Sequence, residues 1–84
     1  MIQVRKFVKE MIELRETKQR ELDRRGRRSN ELLRRSDEVT NIEQWEAYQD
    51  CVKYQQDKMI KLIHDLFVIR SILETVDSQQ GDQP

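Results

Sequence analysis

The sequence predicts an all-α fold, an antiparallel two-helix hairpin of coiled-coil type, and three observations carry that expectation. Turn-forming residues are scarce: two Gly and one Pro occur in 84 residues, with the Pro at position 84. That is too few for a β sandwich or barrel. The second half of the chain repeats apolar residues in alternating steps of three and four. Between the two halves lies a polar break followed by a helix-start signal.

The first helix is expected over about 2–36. From Ile2 to Arg35 the chain holds good helix formers and no Pro, with Val4, Val8, Met11, Leu22 and Leu32 separated by threes, fours or their sums. Arg34 and Arg35 suit the negative end of a helix dipole. Gly26 costs about 1 kcal/mol relative to Ala inside a helix. A break there would give three helices instead, over 2–25, 28–36 and 41–78.

Residues 37–40 read as the turn. Thr40-Asn41-Ile42-Glu43 has the form of a capping box. In it the Thr40 hydroxyl would accept from the Glu43 N–H, and the Glu43 carboxylate would reach back to Thr40. The second helix is expected over about 41–78, completing one domain of residues 1–78. The polar stretch 79–84 reads as a flexible tail.

Helix 2 carries a heptad seam: Trp45, Tyr48, Val52, Gln55, Met59, Leu62, Leu66, Ile69, Leu73 and Val76. A four-residue turn sets Ser36 roughly opposite Asn41, so facing residue numbers should sum to about 77. That register pairs Leu32 with Trp45, Met11 with Leu66, Val8 with Ile69, Val4 with Leu73 and Met1 with Val76. It also sets Arg15, Lys18, Arg25 and Ser29 against Leu62, Met59, Val52 and Tyr48. The long basic side chains would then lay their methylenes over apolar neighbours.

Charge is balanced overall, with 16 basic and 16 acidic residues, but divided along the chain. Residues 1–36 hold 12 basic and 6 acidic side chains, whereas residues 37–84 hold 4 and 10. This favours the first half lying against the second, although exposed pairs contribute only about 0–1 kcal/mol each.

Apolar residues exceed what one seam can bury. Ile60, Ile63, Phe67, Val68 and Ile72 of helix 2, and Ile2, Phe7, Ile12 and Leu14 of helix 1, lie off it. A helix apolar on several sides is covered on several sides. Phe7, Leu14, Ile60, Ile63 and Phe67 are therefore the expected protein interface. Its occupant would be a second copy completing a four-helix bundle, or a different protein.

The cluster Arg24, Arg27, Arg28, Arg34 and Arg35 is the alternative site, for nucleic-acid phosphates. Against it, Glu21, Asp23 and Glu31 are interleaved and no aromatic residue stands among the arginines.

One Cys and one His offer neither a disulfide framework nor an ordinary metal site. Cys51 has no basic neighbour at the adjacent positions to activate it, and His64 falls on the outward face. No phosphate loop, nucleophile elbow or converging carboxylate pair is present, so neither enzymatic activity nor a cofactor is expected. The longest apolar run, Leu66 to Ile69, is too short for a membrane span, and the first residues lack a signal-peptide core. A cytoplasmic protein is expected.

The Gln/Tyr-rich opening of helix 2, Gln44-Trp45-Glu46-Ala47-Tyr48-Gln49, resembles that of the small helical co-chaperones of type III secretion systems. The hairpin layout is similar to that of small dimeric bundle regulators of the plasmid ROP type. Both likenesses cover topology and a few residues, and the Arg24–Arg28 segment departs from both.

Overall fold

A computed structural model describes residues 2–81, with side-chain surroundings for residues 4–79. Two helices make up these residues: α1 (Ile2–Glu38) and α2 (Ile42–Gly81). They lie side by side as an antiparallel hairpin, a rod of 66 × 16 × 14 Å. The connection is only three residues long. The expected pairing of Met1, the side chain of Ile2 and the tail at 82–84 fall outside the described residues.

α1 is continuous through Gly26, so the three-helix alternative does not hold. The glycine sits half-buried against α2, where a Cβ would meet Met59 Cε at 3.6 Å. One glycine costs less than the packing gained by keeping the helix in one piece. α2 starts one residue later than expected and runs on to Gly81, because Asp77 to Gln80 contain no breaker.

The cap of α2 is Asn41 rather than Thr40. Asn41 Oδ1 accepts from the Glu43 N–H at 2.8 Å, and its carbonyl accepts the first helical bond from the Trp45 N–H at 3.0 Å. Asn is as good a cap as Ser or Asp and better than Thr, so the stronger of two adjacent candidates takes the position.

From Tyr48 onward the seam positions of α2 are those expected, but the register is not. Lys18 Nζ donates to Asp65 at 3.0 Å, Arg25 Nη1 to Gln55 at 3.0 Å, and Gln49 Nε2 to the Ser36 hydroxyl at 3.2 Å. Across these pairs and the Gly26–Met59 approach, residue numbers sum to 80–85 rather than 77.

That offset is about one heptad, which keeps the same faces inward and changes every partner. Leu32 now stands level with Val52, and Leu22 with Leu62. Leu32, Val52 and Leu62 are buried, and so is Ile69. The pairs Leu32–Trp45, Met11–Leu66, Val8–Ile69 and Val4–Leu73 are therefore offset by about two turns.

The physical reason is polar matching. At a sum of 77, Arg25 would face Val52 and Lys18 would face Met59. One heptad along, Lys18 meets Asp65 and Arg25 meets Gln55. Ser36, only 1% exposed, donates to the Leu33 carbonyl at 2.8 Å and accepts from Gln49. Among the described residues no buried side-chain polar atom lacks a partner. An unanswered buried group costs about 1–3 kcal/mol, enough to choose between two registers of similar apolar contact. The three-residue connection rises along the axis to allow this, leaving the first turn of α2 beyond the end of α1. Ile42 and Trp45 are exposed in consequence.

The division of charge is scarcely used between the helices. Among the described residues, Lys18–Asp65 is the only ion pair that joins α1 to α2. Three acidic residues of α1 instead pair with its own arginines: Glu21 with Arg25, Glu31 with Arg34 and Arg35, and Glu38 with Arg34.

Candidate protein-interaction face

The hairpin buries one stripe of α2 and leaves large apolar side chains elsewhere on the helix. Phe67 is 68% exposed, Ile60 65% and Ile63 53%. Their spacing of three and four puts them on one flank of the seam, a contiguous strip about two turns long. Phe7 and Leu14 on α1 are each about 40% exposed. The five residues expected to form one interface are thus all accessible, but they occupy two opposite flanks of the rod.

The seam fixes this division. Ile12 and Leu33 occupy the same heptad position as Gly26, which packs against α2 beside Met59 on the flank of Ile63. Phe7 and Leu14 share the position of Arg28, which lines an open groove with Cys51 and Tyr54 on the other flank. Val68, also exposed, joins Phe7 and Leu14 there. The two patches look like one in the sequence because being off the seam does not say on which side of it a residue lies.

The arginine cluster is likewise divided. Arg34 bonds Glu31 and Glu38, and Arg35 bonds Glu31, so these two are charge-paired along α1. Arg24 and Arg27 lie on the outer face of α1 with Arg20, in a shallow depression that also includes Glu21 and Asp23. Arg28 is exposed on the groove side, facing the region of Cys51. The outer face therefore mixes both signs.

The surroundings of Asp65 perturb its titration. The hydrogen bond from Lys18 holds its carboxyl below the ordinary carboxylate range. Partial desolvation opposes that shift, while the charges of Lys18, Lys61 and His64 add to it. The residue serves the hairpin: it answers a lysine in the seam. A sequence signal existed, since Asp65 flanks the seam within a turn of Leu62, but it becomes informative only once the register is known.

Cys51 is a free, exposed thiol. His64 lies 4.0 Å from Asp65 and is otherwise open to water. Among the described residues, no group of three His, Cys, Asp or Glu side chains could hold a metal ion, and no helix is long and apolar enough to cross a membrane. No protein-family model, curated protein or solved structure matches the chain.

Proposed function

We propose that the chain is a non-enzymatic helical interaction module, a small adaptor, chaperone-like or regulatory protein that binds another polypeptide chain. The strip Ile60–Ile63–Phe67 is the observation that carries this reading. Burying one such side chain is worth about 1.5–3 kcal/mol, and three together in water are a standing driving force for association. The strip is borne on a helix whose neighbouring stripe is already packed, so it is held rigidly and needs no folding on binding. A cytoplasmic setting suits a chain whose one cysteine is free and exposed.

The test is site-specific photo-crosslinking in a cell extract, with the photoreactive residue at Ile63 or Phe67 and a control at Lys61 on the opposite flank. The reading expects protein adducts at 63 and 67 and none at 61. Equal labelling at all three positions, or none at any, contradicts it.

Binding of nucleic acid through Arg24, Arg27 and Arg28 is the second reading. It is favoured by their exposure and by the absence of any ion pair to them among the described residues. Glu21 and Asp23 beside them oppose it. Salt separates the two readings, because phosphate contacts weaken steeply as salt rises and apolar association does not.

A further inference from the structure

The apolar strip is the centre of a longer row. Lys53, Gln56, Ile60, Ile63, Phe67, Arg70 and Glu74 follow one another in steps of three and four along the same flank of α2. This is a second heptad seam on the helix, apolar in the middle, with Lys53 at one end and Glu74, which accepts from Arg70 at 3.0 Å, at the other. Its midpoint lies beside Ile63. Ile60 and Phe67 stand equally far on either side of that midpoint, and so do Lys53 and Glu74.

We propose that the occupant of this flank is a second copy of the chain, with α2 packed antiparallel on α2 about a two-fold axis near Ile63. The proposal rests on the reading of the strip as a protein-contact face and names its partner. In this arrangement Ile60 of each copy meets the Phe67 region of the other, and Ile63 lies close to its own copy. Lys53 comes level with the partner's Glu74 and Asp77, where it would share Glu74 with Arg70 of the same helix. A parallel pairing would set Lys53 on Lys53 and Glu74 on Glu74. An isologous contact needs a patch that complements itself after a half-turn, and this row has that property. A face built for an unrelated protein has no reason to be matched about its own midpoint.

The rival pairing, α2 of one copy on α1 of the other, fails on composition. At the level of the strip, the corresponding flank of α1 offers Glu16, Gln19 and Asp23. These would desolvate charge against Ile63 and Phe67. Only a second α2 supplies an apolar surface of the same length at that level.

Area points the same way. The hairpin exposes 7049 Å², against about 5,400 Å² for a compact monomer of its 10.3 kDa mass. A stable complex removes roughly 800 Å² from each partner. The row from Lys53 to Asp77 gives about 36 Å of helix for such a contact.

The experiment combines sedimentation equilibrium of the full chain with a charge swap. Lys53 and Glu74 are about 31 Å apart along α2 and cannot pair within one chain. The parent is expected at twice the chain mass. Lys53→Glu should weaken the dimer about fivefold, since the contact occurs twice, and the double variant with Glu74→Lys should restore it. Circular dichroism checks that each variant keeps its helices.

A dimer indifferent to the swap overturns the antiparallel α2 pairing. A parent that stays monomeric, while a photoreactive group at Ile63 captures a different polypeptide, overturns the self-partner and leaves the contact-face reading standing. A monomer with no adduct at Ile63 removes both.

Discussion

Lys18 on α1 reaches across the hairpin to Asp65 on α2, with Nζ 3.0 Å from Oδ2, and this is the ion pair that fixes which turn of one helix meets which turn of the other. Both side chains are only partly sheltered, so the pair contributes modestly to stability and strongly to register. A slip by one heptad would leave Lys18 over Met59. The pairing acts through what its absence would cost, as polar seam residues commonly do in coiled coils.

The register is directly testable by disulfide formation. In a Cys51→Ser background, Ser29→Cys with Gln55→Cys should oxidise within one chain, because these positions are level in the observed hairpin. Val8→Cys with Ile69→Cys should not, being about two turns apart. Non-reducing electrophoresis and intact mass read the result. The reverse pattern would restore the shorter register.

How much of this was legible beforehand follows from the same residues. Helix 2 and its seam could be read because the apolar residues from Val52 to Val76 recur without interruption. The seam of helix 1 was found only by reflection through the turn. Its middle is Arg15, Lys18, Arg25 and Ser29, which carry no apolar signal. With a seam that repeats every seven residues, the turn alone had to choose among registers, and a three-residue rise in the connection shifted the choice by one repeat. The division of the exposed apolar residues into two flanks depends on that seam and was legible in principle. The polar ties were not, because Gln49, Gln55 and Asp65 look like ordinary surface residues until their partners are known.

Gly26→Ala should stabilise the hairpin. The new Cβ would make an ordinary contact with Met59 Cε at 3.6 Å, and Ala is favoured over Gly in a helix by about 1 kcal/mol. For a domain of this size that is a rise of about 4–8 °C in melting temperature. A lower melting temperature would mean that the helices approach more closely at this point than the geometry shows.

The cap at the start of α2 gives a paired comparison. Asn41→Ala removes the acceptor for the Glu43 N–H and should cost about 1 kcal/mol by denaturant unfolding. Thr40→Ala should cost no more than a few tenths by the same measurement. Equal losses would return the cap to Thr40.

Acid should remove the contribution of the Lys18–Asp65 pair. Asp65 binds its proton less readily in the fold than in the unfolded chain. Its stabilising effect is therefore fully present above the ordinary carboxylate pKa and is lost as pH falls through the lowered folded value. Asp65→Asn should lower the melting temperature slightly at pH 7, because solvent screens so exposed a pair. That deficit should shrink as pH falls through the lowered folded value and both forms become uncharged. A deficit that persists in acid would show that the carboxylate charge is not what the lysine answers.

The claim that the flank of Ile60, Ile63 and Phe67 joins two copies of the chain is tested most directly by Phe67→Asp. The measurement is sedimentation and thermal unfolding of parent and variant at matched concentrations over a wide range. The account predicts a parent that associates and melts higher as concentration rises, because association stabilises the folded chain by mass action. The variant should keep its helix content, sediment at the mass of one chain and melt independently of concentration. Parent and variant with the same mass and the same concentration-independent melting temperature would contradict the account.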